Sequence, residues 1–203
     1  MALGNYQQTS LTNAGTLLEG GFRMGVAASA ASFAGGGMGT VLGIGNLTSI
    51  QENLELSTTQ AGNSNMPVER VASQTLTVNF ELLELWTTTF DMIRGTGLDT
   101  ENAATASTYI TAAGTVNVIS TGGLDTLTEK AFIFENTTMV SGATAVTVLI
   151  AYKAKISQGL AFTAKTDHDT DPVMVYPFTL TAELDTARTK GDQLFIIESE
   201  LGV

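Results

Sequence analysis

The sequence predicts a mainly β protein: a sandwich or barrel with one flanking α-helix and one long hairpin. Three observations carry that expectation. Two neighbouring stretches, Thr48–Gln60 and Arg70–Phe80, alternate between polar and apolar residues, the period of a strand with one wet face. Short apolar runs separated by turn-forming residues recur through the second half of the chain, as in sandwiches and barrels. Between these regions one segment, Leu82–Arg94, changes to helical spacing.

Residues 1–40 have a composition of their own, dominated by Thr, Asn, Gly and Ala and closing in Gly35-Gly36-Gly37-Met38-Gly39. They are expected to form an extended Gly/Ala-rich N-terminal arm, ordered against a partner or against the chain's own sheet, with residues 41–203 forming the β domain. No residue from Met24 to Gln51 is charged, which raises the question of a membrane span. Large apolar residues are sparse there and glycines interrupt them, whereas a span needs ~20 predominantly apolar residues. No membrane partner is expected. Glu19 precedes the run and no basic cluster does, so a signal peptide is not expected either.

In the first alternating stretch Ile50, Leu54 and Leu56 are apolar, while Ser49, Gln51, Asn53, Glu55 and Ser57 are polar. On the return, Leu76, Val78 and Phe80 point one way and Ser73, Thr75, Thr77 and Asn79 the other. The connection Ala61–Glu69, with Asn63, Ser64, Asn65, Met66 and Pro67 at its centre, is rich in turn formers but too long for a tight hairpin loop. It is expected to project.

Leu82, Trp86, Phe90 and Ile93 share one helical face, with Leu83 and Leu85 beside it. Glu81 and Glu84 lie near the start and Arg94 near the end, each matching the helix dipole, and Gly95 stands where a C-terminal cap belongs. Beyond Asn102 the candidate strands are Thr115–Ser120, Ala131–Glu135, Ala145–Ala151, Leu160–Ala164, Val173–Leu184 and Gln193–Ser199. Turns are expected at Thr121-Gly122-Gly123, Asn136, Ser141-Gly142, Ser157-Gln158-Gly159 and Lys190-Gly191-Asp192.

Charge and chemistry narrow the function. The 203 residues carry a net charge of -11, and Arg23 is the only basic residue before Arg70. Such a chain repels phosphates on average, so it is not expected to hold nucleic acid tightly, though nucleic acid could slide past it. Only 14% of the residues are charged, against roughly 25% in ordinary domains, which suits a subunit whose surface is covered by neighbours. The absence of cysteine excludes disulfides, thiolate metal sites and a cysteine nucleophile.

The single histidine, His168, sits in Asp167-His168-Asp169-Thr170-Asp171. A calcium loop would need a glycine at its sixth position and a carboxylate at its twelfth, where Phe178 stands, so a solvated acidic loop is expected. No Gly-x-Ser-x-Gly elbow, Walker sequence or Gly-x-Gly-x-x-Gly spacing is present. The acidic pairs Glu52/Glu55 and Glu81/Glu84 read as surface charges, and with no signal peptide expected the sequons at Asn46 and Asn136 carry little meaning. No catalytic, cofactor-binding or metal-binding residues are assigned, and the chain is not expected to be an enzyme.

The Gly45–Gly95 block resembles the phage tail tube (major tail) protein family. The resemblance lies in Gly45-Asn46-Leu47-Thr48-Ser49-Ile50 opening a strand, an acidic-polar continuation, a long loop, and the return Leu76-Thr77-Val78-Asn79-Phe80-Glu81 before the helical segment. Tyr176-Pro177-Phe178-Thr179-Leu180-Thr181-Ala182 and Thr189-Lys190-Gly191-Asp192-Gln193-Leu194-Phe195 are similar to the end of that family; the Gly/Ala-rich arm departs from it.

The resemblance implies a β-sandwich with one flanking helix, assembling into hexameric rings that stack into a hollow tube. The hairpin would contribute to an inner barrel lining the lumen. Gln51, Asn53, Glu55, Ser57, Ser73, Thr75, Thr77 and Asn79 would then face the channel. Asn63, Ser64, Asn65, Met66 and Pro67 would reach the next ring. The implied partners are other copies, the tape-measure, terminator and tip proteins, and DNA in transit without specific binding. The implied location is the virion tail, assembled in the host cytoplasm. Alternative assembly readings are a capsid decoration subunit and a type VI secretion tube protein. An alternative of another class is a carbohydrate-binding β-sandwich, which would want exposed aromatics beside paired carboxylates; the one tryptophan, Trp86, falls on the predicted helix's apolar face.

Overall fold

Phe22, Met24 and Val26 alternate within the glycine-rich N-terminal region, and their burial on one face makes Gly21–Ala27 a strand, β1. The computed structural model describes residues 21–59, 68–83, 99–104, 116–121, 127–140, 143–157, 161–165 and 173–199. A short 3-10 helix, Ala30–Gly36, follows β1 and is broken at Ala34 and at Gly35, where φ is +72. The remaining strands are β2 (Thr40–Thr59), β3 (Val68–Leu82), β4 (Asp99–Ala104), β5 (Val116–Thr121), β6 (Lys130–Val140), β7 (Ala143–Ile156), β8 (Thr163–Lys165), β9 (Val173–Ala182) and β10 (Phe195–Ser199).

Eight of these strands form one antiparallel sheet in the order β10-β7-β6-β1-β2-β3-β9-β8. A further pairing, Ala154–Ile156 of β7 with Leu180–Ala182 of β9, closes six of them into a ring. Strands β4 and β5 pair separately. The protein is therefore mainly β, with a ring of six strands and one short helix among the described residues.

Inward side chains from every strand of the ring meet in one core. Phe80 lies edge-on to Phe134 and stacks on Phe178, with centroids 5.4 and 5.5 Å apart, and Met24, Leu42, Leu76, Leu149, Ile156 and Leu180 fill the space around them. Burying each large side chain contributes ~1.5–3 kcal/mol, so the ring is held from within. A second, smaller cluster lies on the other face of the sheet, where Phe33 of the 3-10 helix and Met38 just after it pack over Ala131 and Ile133. Gly25 makes that close approach possible: a Cβ there would overlap the Met38 carbonyl oxygen and crowd Ile133.

Several expectations are refined. Residues 21–40, grouped by the sequence with the N-terminal arm, include an interior strand that pairs with both β2 and β6; residues 1–20 lie outside the described ones. Strand β2 begins at Thr40 rather than Thr48. Leu82, expected to open the helix, is instead the last residue of β3, buried and paired with Gly45 and Tyr176. An aliphatic run fits a buried strand end as well as a helix start, and pairing on both sides decides it. The rest of the expected helix, with Trp86, Phe90, Ile93 and Gly95, lies outside the described residues.

Asn136, read as a turn, sits inside β6, buried, with its side-chain amide donating to the Gly21 carbonyl at 3.0 Å. A long-range backbone acceptor thus overrides its local turn preference. Strand β4 was not anticipated. Its sequence, Asp-Thr-Glu-Asn-Ala-Ala, has little strand propensity, and pairing with β5 supplies the order.

Candidate assembly surface

The β2–β3 hairpin is longer than the ring needs. Its pairing runs from Gly45↔Leu82 to Thr59↔Val68, whereas β9 accompanies β3 only from Leu82 to Leu76. Beyond Leu76 the two strands continue as a ribbon. Two register shifts set its faces. Across Leu47–Ser49 the extra residue, Thr48, lets both Leu47 and Ile50 pack on the core despite their odd separation. Across Glu55–Leu56 the extra residue falls on β3 and brings Val71 opposite Leu56.

One face of the hairpin is a polar ladder. Gln51 pairs with Thr77, Asn53 with Thr75, Glu55 with Ser73, and Ser49 with Asn79. These residues alternate with Leu76, Val78 and Phe80 of the core, so the ladder starts on the outer surface of the ring and runs on along the ribbon. Its side chains bond laterally: Gln51 Nε2 donates to Asn53 Oδ1 at 2.9 Å, Ser73 Oγ to Glu55 Oε2 at 2.8 Å, and Asn79 Nδ2 to Ser49 Oγ at 2.9 Å. The ladder continues onto β9, where Thr179 Oγ1 donates to Asn79 Oδ1 at 2.8 Å. Thr181 lies beside Thr77 and shares a 3.2 Å hydrogen bond with Ser157.

All eight residues assigned by sequence to a channel face are described. Seven lie on the ladder, paired across the hairpin as stated. Ser57, also exposed, pairs with Arg70 past the second register shift. Ser49, Thr179, Thr181 and Ser157 were missed. The first lies in the same alternation as Gln51, and the two threonines alternate with Phe178, Leu180 and Ala182, so that signal was present; only the pairing of β9 with β3 connects it to the hairpin. The expected inter-ring residues Asn63, Ser64, Asn65, Met66 and Pro67 lie outside the described residues, as does the Asp167–Asp171 cluster.

The opposite face of the ribbon carries an exposed apolar stripe. It continues the core-facing line of Ile50 and Leu76 outwards through Leu54, Leu56 and Val71, which are 56%, 57% and 55% exposed. Glu52 lies on this side too, where it accepts a hydrogen bond from Gln74. Glu52 and Glu55 therefore stand on opposite faces and cannot act together on one substrate.

A tightly bonded loop, residues 183–194, abuts the base of this apolar face. Tyr152 of β7 donates to Asp192 Oδ1, Arg188 Nη2 bonds Asp192 Oδ2 at 2.6 Å, and the guanidinium lies 3.6 Å above the Tyr152 ring. Burial, reinforced by the Asp192 hydrogen bond, pushes the Tyr152 hydroxyl up to about 12. The bonds from Tyr152 and Arg188 hold the Asp192 carboxyl below its usual range. Nearby, Lys155 Nζ bonds Glu183 at 2.7 Å, which raises the lysine and lowers the carboxylate.

Across the outer face of β6, β7 and β10 runs an open groove of about 590 Å³, lined by Phe33, Ile133, Val148, Ile150 and Ile196. Of the ionisable groups along it, Glu135 is paired with Arg23 and Arg188 with Asp192. Among the described residues no three His, Cys, Asp or Glu side chains come together as metal ligands, and no helix is long and apolar enough to cross a membrane. No protein-family model matches the chain, and no curated protein matches it.

Proposed function

We propose that this chain is a structural subunit of a phage tail tube, forming stacked hexameric rings around a channel through which DNA passes. The observation that supports this reading is the two-faced ribbon. A two-stranded ribbon with three large aliphatic side chains more than half exposed is an association hazard for an isolated molecule, and cover by further copies removes the hazard. The other face offers hydroxyls and amides with Glu55 as the one charge on the ladder's paired rows and Arg70 standing past them opposite Ser57, so a polyanion meets no cluster of cations to bind and no greasy wall.

In this reading the chain performs no catalysis. Its partners are its own copies and the tape-measure, terminator and tip proteins of the tail, and its place is the virion, after assembly in the host cytoplasm. Negative-stain microscopy of the purified protein tests it. Rings or tubes are expected; a monodisperse monomer at high concentration, with assembly partners added, would overturn the proposal.

A further inference from the structure

Among the described residues, loop 183–194 is hydrogen-bonded to the ring on one side only. Toward β7 it is tied by backbone and side chain alike: Glu183 N donates to Lys153 O at 2.9 Å, Tyr152 N to Leu194 O at 3.3 Å, and the Tyr152–Asp192–Arg188 cluster bonds across the middle. Its own ends are drawn together by Asp185 N donating to Gln193 O at 2.8 Å, and Gln193 Nε2 donates to Arg188 O at 3.0 Å. Gly191, at φ +91, makes the reversal that a side-chain-bearing residue would resist. The loop is thus braced internally and fixed to the ring wall.

Toward the hairpin its contacts are of another kind. Leu194 is buried in the ring core, and Leu184 and Phe195 pack against the cluster that also takes Ile50 and Leu76. Above them an open cleft of about 220 Å³ separates the loop from the hairpin base, lined by Glu52 and Gln74 on one side and by Leu184, Gly191 and Gln193 on the other. No hydrogen bond or ion pair between described side chains crosses it. A ribbon leaving the ring just there has a rigid post on its apolar side and room to lean toward it.

We propose that loop 183–194 is a strap that limits the inward lean of the β2–β3 ribbon, with Tyr152, Arg188 and Asp192 as its latch. The latch residues do not touch the ribbon; they act by holding Leu184 and Leu194 against its base. Releasing the latch therefore loosens the ribbon base as well as the strap, and leaves the β1–β2 pairing, across the ring from β7, unaffected.

Hydrogen–deuterium exchange on the full chain tests this in three variants, Arg188→Ala, Asp192→Asn and the milder Tyr152→Phe. Several-fold faster exchange is expected in peptides covering 50–56 and 73–78 together with 183–194, with peptides covering 22–26 and 41–45 unchanged. Acceleration confined to 183–199 would overturn the proposal, because the strap would then open without the ribbon following. Faster exchange throughout the ring would overturn it too, by making the latch a global stabiliser. If Arg188→Ala does not fold, Tyr152→Phe, which removes only one hydroxyl, gives the same discrimination.

Discussion

Gly45 packs so closely on Glu81 that a Cβ built on it would overlap the Glu81 carbonyl oxygen, well inside van der Waals contact. The opposing atom is backbone held within the β2–β3 pairing, so it has little freedom to retreat. Gly45→Ala is therefore expected to destabilise the fold by about 1–3 kcal/mol, the usual cost of overpacking. Gly21 provides the control: a Cβ there meets nothing closer than 3.8 Å, and Gly21→Ala should stay within about 0.5 kcal/mol of the parent. Chemical denaturation of the two variants side by side measures the difference.

Asn79 joins three strands by accepting from Thr179 and donating to Ser49. Asn79→Ala removes both bonds on a half-buried surface, where each contributes about 0.5–1.5 kcal/mol at most. The expected loss is near the lower end, because water replaces the partners at an outer face. Thermal melting checks this; a loss as large as that of a core truncation would mean that the ladder is buried.

How much of this arrangement was legible beforehand differs from residue to residue. The hairpin's strict alternation placed Gln51, Asn53, Thr75 and Thr77 on one face, because period two in a strand admits no other reading. The strand at Phe22, Met24 and Val26 was obscured by its glycine-rich surroundings, although the same alternation was there. Asn136 and Leu82 were misassigned because their local preferences are real and a distant pairing outweighs them. Closure of the ring depends on β7 meeting β9, a contact that no short window of sequence encodes. The apolar stripe was visible as Leu54 and Leu56, but their exposure was not: only the end of β9 pairing at Leu76 shows that the ribbon outruns its cover.

The raised Tyr152 hydroxyl makes an alkaline prediction. Its folded pKa, about 12, exceeds the ordinary value of 10.0. The associated stability is fully present below pH 10 and is lost as pH rises through about 12, since the unfolded chain releases this proton first. Stability measured by denaturant midpoint should therefore fall between those values in the parent, and fall less in Tyr152→Phe. Absorbance titration of the tyrosinates should show one late component that the variant lacks.

Asp192 predicts the opposite limb. Its carboxyl is depressed by the hydrogen bond from Tyr152 and next by Arg188, so its contribution is present above the ordinary carboxylate range and disappears as pH falls through the lower folded value. Asp192→Asn should flatten the acid side of the stability profile and lower the Tyr152 pKa by weakening the acceptor. If the acid limb is unchanged in Asp192→Asn, the carboxylate bonds seen here do not persist in solution.

The ribbon's two faces separate folding from assembly. Leu54 and Leu56 lie outside the ring core and are more than half exposed, so Leu54→Asp with Leu56→Asp should leave the monomer's melting temperature nearly unchanged, within about 0.5 kcal/mol of stability. If copies cover this stripe, the same pair buries two unpaired carboxylates at each contact, at several kcal/mol per site, and ring or tube formation in sedimentation and microscopy should be abolished. Gln51→Lys with Asn53→Lys, on the ladder, should do the reverse: tubes form, while passage of DNA slows because cations now hold the phosphates. A Leu54→Asp, Leu56→Asp variant that still assembles would exclude the stripe as a contact between copies. Lysine variants that deliver DNA normally would exclude the ladder as the channel wall.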